Sequence, residues 1–129
     1  MLLAGTGTGL APLVGVLRDA LRNRHRGLIH IFHGAVDAGG LYLCDELRDF
    51  VQIHKQVKYT PVLLKGEAAT GIAIGAIDRV ILERFPKLGG WRAYVAGDPG
   101  VVQSLRKQLF LAGAASRDIF ADAFLLSPN

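Results

Sequence analysis

Two glycine-rich runs hold most of the chemistry this sequence offers, Gly5-Thr6-Gly7-Thr8-Gly9 and Gly97-Asp98-Pro99-Gly100. Glycines and small hydroxyl residues ahead of a helix bring backbone N–H groups, and the positive end of the helix dipole, up to an anion. A pyrophosphate suits such a turn. The first run is not a G-x-G-x-x-G fingerprint, because Leu10 and Pro12 stand where the last glycine is needed from either register. Nor is it a P-loop, since no Lys-Ser or Lys-Thr follows. A tight strand-to-helix turn with Thr8 as N-cap explains the same residues without a ligand. Asp98 reads equally as an N-cap, as a direct ligand contact, or as both.

The remaining reactive side chains suggest less. His25, His30, His33 and His54 show no ligand spacing with Cys, Asp or Glu, so no metal site is expected. Cys44 is the single cysteine, which excludes a disulfide framework, fits a reducing cytoplasm and reads as a buried structural thiol. The formal net charge of +4 is mild, and neither a nucleic-acid nor a membrane partner is expected. Arg22, Arg24, His25 and Arg26 follow the first helical pattern, either as a solvated helix end or as a docking patch for an acidic partner. The apolar opening lacks a basic n-region and is interrupted by Gly and Pro, so a cytoplasmic protein is expected rather than a secreted one.

The elements that must position these turns follow from periodicity. With 129 residues, half of them apolar, the chain has material for one core, and residues 1–129 are read as a single domain. Short apolar runs alternate with amphipathic stretches, the signature of repeated βα units. Strands are expected at Met1–Ala4, Leu28–Phe32, Val57–Leu64, Trp91–Ala96 and Asp118–Ala123. The first helix carries Leu10, Leu13, Val14, Leu17 and Leu21 on one face and is expected to stop at Gly27. Later helices centre on Leu47 and Phe50, on Val80 and Ile81, and on Val102 and Leu105, the last ended by Gly113 at C′. Five strands with right-handed crossovers give an α/β fold, a doubly wound parallel sheet of order 3-2-1-4-5 with helices on both faces. In that order both glycine runs lie at the carboxyl ends of adjacent central strands, the crevice where such sheets bind ligands. That coincidence points to a nucleotide site.

The segments LLAGTGTGLAP, IFHGAVDAGGLYLCDEL, VKYTPVLL, YVAGDPGVV and IFADAF resemble, in that order, the NAD(P)-binding domain of ferredoxin-NADP reductase-like flavoproteins, in particular the oxygenase-reductase branch. The likeness spans essentially the whole chain. It implies a module that presents NADH or NADPH to an FAD on a separate domain, for hydride transfer from nicotinamide C4 to flavin N5. Electrons then pass singly to an iron–sulfur or haem acceptor. The cofactors carry the bond-making, so no catalytic acid or base is implied.

Carried over by position, Gly7, Thr8, Gly9, Leu10, Ala11 and Pro12 would form the pyrophosphate and nicotinamide-ribose turn. Gly97, Asp98 and Pro99 would face the nicotinamide, in a segment where the family's frequent cysteine is replaced by Ala96. His33, Gly34 and Ala35 end the second strand, where His33 either reaches the adenosine region or is a surface or hydrogen-bonded core residue. Phe124 matches an aromatic near the flavin, or caps the last strand as a core residue. Asp37 stands close to where many relatives carry Arg and would repel a 2′-phosphate, whereas Lys65 would attract one. NADH is therefore expected over NADPH.

The family's flavin-binding domain is expected upstream and is absent from this chain, so it must be supplied in cis by a longer polypeptide or in trans. The face it would cover is expected to be apolar and able to drive homodimer formation. Two rivals remain at this point: a non-catalytic nucleotide-binding or scaffold domain, and a receiver-type or flavodoxin-like domain. The latter calls for acidic residues after the first strand, where none stands.

Overall fold

A computed structural model of the protein describes residues 1–67 and 69–123. Six parallel strands, β1 (Leu2–Thr6), β2 (Ile29–Ala35), β3 (Val57–Leu63), β4 (Ala73–Ile74), β5 (Ala93–Gly97) and β6 (Ile119–Ala123), form one sheet of order β4-β3-β2-β1-β5-β6. Helices α1 (Leu10–Arg22), α2 (Cys44–Ile53), α3 (Ile77–Arg84) and α4 (Pro99–Leu111) connect them. The expected α/β class and order are present, with one correction: the sheet has six strands rather than five. The extra strand, β4, is two residues long and pairs Ala73 and Ile74 with Val62 and Leu63. It lies inside the stretch read as a glycine-punctuated loop, too short to leave a periodic signal.

Both faces of the sheet are covered, which is why its strands read as continuous apolar runs. Along β1 the pleat sends Leu2 and Ala4 to the α3/α4 side and Leu3 to the α1/α2 side, all fully buried. Phe32, Ile81, Leu105 and Leu109 complete the first layer, and Leu10, Leu17, Ile31 and Leu47 the second. One buried polar chain crosses the α3 side. The Arg84 guanidinium donates to Thr60 Oγ1 at 3.0 Å, and that hydroxyl shares a 2.8 Å hydrogen bond with His30 Nε2. Burial, with Arg84 and Lys58 nearby, brings the His30 pKa down to about 4.

Element ends differ from the sequence reading where side-chain period gives no guidance. β1 continues through Gly5 and Thr6, which still pair with His33 and Gly34. α1 stops at Arg22, well short of Gly27, because Arg24 takes φ +60° and His25 N–H turns back to the Ala20 carbonyl. Gly113 does sit at C′ of α4: its N–H donates to Phe110 O at 3.0 Å while Ala114 N–H donates to Leu109 O at 3.1 Å. Cys44 is half-buried rather than buried, with Sγ 3.5 Å from the Tyr59 hydroxyl. Among the described residues no helix is long and apolar enough to cross a membrane.

Candidate functional site

The two glycine-rich turns meet. Thr6 closes β1, and its Oγ1 accepts the Asp98 N–H at 3.2 Å across the sheet. Gly97 holds φ +127°, and a Cβ there would fall 2.5 Å from Thr6 Oγ1 and 2.6 Å from Thr6 O. Gly9 packs just as tightly, since its Cβ would lie 2.5 Å from Ala96 O and 2.8 Å from Gly97 N. Only glycine fits either place. The end of β5 therefore rests directly on the turn that follows β1.

Each turn leads into a helix. Asp98 is the N-cap of α4, with Oδ2 accepting Val101 N–H at 3.2 Å and Pro99 in the first helical position. Thr8 is not an N-cap. It belongs to a 3-10 turn, Gly7–Gly9, and α1 begins from Gly9 without any side-chain cap. The Thr8 side chain is exposed at the mouth of a cleft instead.

That cleft occupies about 860 Å³ at the carboxyl ends of β1, β2, β3 and β5, inside the range of small-molecule sites. Of the residues expected there, Gly7, Thr8, Gly34, Ala35, Asp37, Gly97 and Asp98 line it. Gly9, Leu10, Ala11 and Pro12 do not, because the chain is already turning into α1 away from the opening. Lys65 is exposed outside the lining, and Pro99 borders a separate groove between α4 and β6. His33 is fully buried and lies outside the lining. Phe124 lies outside the described residues.

Several lining residues escaped the sequence reading. Val36 and Leu64, each more than half exposed, continue β2 and β3 and present apolar surface at the cleft mouth. Ile77 and Asp78 come from the first turn of α3 and Ser104 from the second turn of α4, where Ser104 Oγ donates to Asp78 Oδ2 at 2.8 Å and ties the helices together. Nothing local in the sequence marks that pair.

The electrostatics are one-sided. Asp37, Asp78 and Asp98 are at the cleft, and among the described residues no Lys or Arg lines it. Asp37 is exposed, with Oδ1 accepting Gly39 N–H at 3.0 Å, so it caps a local turn as well as facing the cleft. An anion here must be held by backbone N–H groups and helix N-termini, not by side-chain cations. Behind the first turn, the Tyr42 hydroxyl donates to the Gly7 carbonyl at 2.7 Å, and His33 Nε2 approaches the same oxygen at 3.4 Å. Burial holds the His33 pKa below the usual imidazole range, opposed by its bond to Gly7. Burial also raises that of Tyr42, opposed by the backbone of Ala11 and Leu10.

These features fit a diphosphate-bridged dinucleotide: a cleft of about 860 Å³, open space beside the Gly7 Cα, and the N-terminal parts of α3 and α4 in its lining. Comparison with known proteins agrees. The family model for the oxidoreductase NAD-binding domain matches residues 2–107. The reductase component of the naphthalene 1,2-dioxygenase/salicylate 5-hydroxylase systems of a Ralstonia species is 33% identical over 124 residues, 96% of this chain and 38% of that protein. The crystal structure of an Amycolatopsis cytochrome P450 reductase superposes with a TM-score of 0.89 at 30% identity, covering 96% of this chain and 37% of that one. A Neisseria gonorrhoeae ferredoxin NADP⁺ reductase with bound FAD and NADP shares the fold, with a TM-score of 0.81 at 18% identity over 95% of this chain and 55% of that one. The chain thus spans well under half the length of the curated relatives it matches most strongly. From matched turns, cleft and sheet order together, the chain belongs to the oxidoreductase NAD-binding domain family.

Proposed function

We propose that residues 1–129 form one pyridine-nucleotide-binding domain that holds NADH and presents its nicotinamide to an FAD carried by a separate domain, in cis or in trans. The observation that carries this reading is the single cleft walled by both glycine turns and stitched by the Thr6–Asp98 bond. The diphosphate is received by backbone N–H groups of the Gly7–Gly9 turn and of the α4 N-terminus. Val36, Leu64 and Ile77 give the adenosine half apolar contact surface, and Gly97 and Asp98 border the nicotinamide half. With nicotinamide and flavin bound, the chemistry supplied is hydride transfer from C4 to N5, followed by single-electron release to an iron–sulfur or haem acceptor. This chain's own residues orient and desolvate the nucleotide, and no side chain need move a proton.

NADH is favoured over NADPH because the cleft carries three carboxylates and no basic partner for a 2′-phosphate. The names of the relatives, all reductases or reductase components in the strongest matches, favour this reading over a non-catalytic nucleotide sensor. The test is titration of the chain with NADH and NADPH, followed by nicotinamide fluorescence. Binding of NADH, tighter than NADPH, is expected, together with recovery of NADH-dependent dye reduction when a family flavin domain is added. No binding of either nucleotide at millimolar concentration would contradict the proposal.

A further inference from the structure

The carbonyl of Gly7 is engaged to an unusual degree. It accepts the Leu10 N–H that closes the 3-10 turn, the Tyr42 hydroxyl at 2.7 Å, and a contact from His33 Nε2 at 3.4 Å. Neither side chain is a sequence neighbour. They come from positions 26 and 35 residues further along the chain and stand edge-on to each other, ring centroids 5.2 Å apart. His33 is fully buried and its Nδ1 has no partner, so the whole polar capacity of that ring is spent on Nε2 and Gly7. The segment delivering Tyr42 is also tightly specified. Asp37 caps the 3-10 turn Ala38–Gly40, and Leu43, directly after Tyr42, takes φ +58°, an uncommon conformation for a bulky residue.

A peptide group is planar and trans, so fixing the direction of one carbonyl fixes the N–H on the far side of the same bond. For Gly7 that N–H belongs to Thr8, whose residue lines the cleft. We propose that Tyr42, backed by His33, is a positioning residue for nucleotide binding: by holding the Gly7 carbonyl it presents the Thr8 N–H to the diphosphate. This role rests on the nucleotide reading above and adds residues to it, since neither ring lines the cleft. The energetic logic is preorganisation. Without the clamp the Gly7–Thr8 peptide is held only by the Leu10 N–H, and binding must restrict its remaining freedom.

The test uses the full chain with Tyr42→Phe and His33→Phe, each of which keeps an aromatic ring and loses its polar contact to Gly7. NADH affinity is read by fluorescence, adenosine affinity by amide chemical-shift titration, and the fold by thermal unfolding. One neutral hydrogen bond contributes roughly 0.5 to 1.5 kcal/mol, so Tyr42→Phe is expected to weaken NADH about fivefold. His33→Phe, which loses the longer contact, is expected to weaken it about twofold, and adenosine, which lacks the diphosphate, is expected to bind both variants like the parent. The Thr8 amide resonance should shift in the free Tyr42→Phe protein. Unchanged NADH affinity in both variants, or NADH and adenosine falling in parallel, would overturn the clamp while leaving nucleotide binding intact. A parent chain that binds no NADH would overturn both readings, and the two failures are thereby told apart.

Discussion

The two glycine turns reach the same cleft by different means. The turn after β5 is organised by its own residues: Gly97 takes the positive φ, Asp98 caps α4 three residues ahead, and Pro99 starts the helix. The turn after β1 is organised from a distance. Its pivotal carbonyl is held by Tyr42 and His33, and its last glycine is pressed against Ala96 and Gly97. A turn built locally can be read from a few consecutive letters, whereas one built remotely depends on the fold being correct elsewhere. The first turn is consequently the one expected to pass changes in β2, or in the segment that precedes α2, to the proposed nucleotide site.

The largest effect should come from breaking the contact the turns share. Gly9→Ala places a methyl within 2.5 to 2.8 Å of the Ala96 and Gly97 backbone, which has no flexible end to yield. A loss of about 3 kcal/mol or more is expected, with NADH binding abolished. Chemical denaturation and nucleotide titration measure the two losses.

Acid should separate the turns next. His30 has its pKa lowered to about 4, and His33 is lowered as well, both chiefly by burial. A group depressed in the folded state binds fewer protons folded than unfolded, so its contribution is complete above about pH 6.5 and is lost as pH falls toward 4. For His30 the loss amounts to about 2 to 3 kcal/mol over that window, visible as a falling unfolding midpoint. The turn after β1, which touches His33, should lose amide protection at higher pH than the turn after β5. His30→Phe, which preserves stacking on Phe32, should flatten the stability profile.

Smaller changes refine the contrast. Asp98→Ala removes a local cap and should cost about 1 kcal/mol of stability while leaving the Gly7 clamp in place. Asp37→Ser keeps a turn-forming side chain and removes an exposed charge, so it should raise NADPH affinity relative to NADH by no more than about fivefold. Competitive titration of the two nucleotides gives that ratio directly.

Much of the architecture was legible because strand and helix periods are local. Leu2 to Ala4, Ile29 to Phe32 and the α1 stripe from Leu10 to Leu17 declared their burial, and the sheet order followed from right-handed crossovers. The candidate cleft was legible where glycine-rich turns form its walls, at Gly7, Gly97 and Asp98. It was not legible where tertiary packing decides. His33 read either as a hydrogen-bonded core residue or as a contact for adenosine, and the pleat settles it as buried, edge-on to Tyr42 and outside the cleft lining. The helix start at Leu10 was legible, but that its first turn, with Gly9, leaves the cleft lining was not. Tyr42 and the Asp78–Ser104 pair carried no signal, because their partners are distant in sequence. β4 was invisible for a different reason, being two residues held by the edge of β3 rather than by any pattern of their own.

The most direct measurement is amide chemical-shift mapping of the isotopically labelled chain during titration with NADH. The amides of residues 6–8, 34–37, 97, 98, 100 and 101 should move together with one dissociation constant, while the groove between α4 and β6 around Gln103 and Phe110 stays silent. Shifts confined to that groove, or the two glycine turns responding with different affinities, would contradict a single nucleotide cleft.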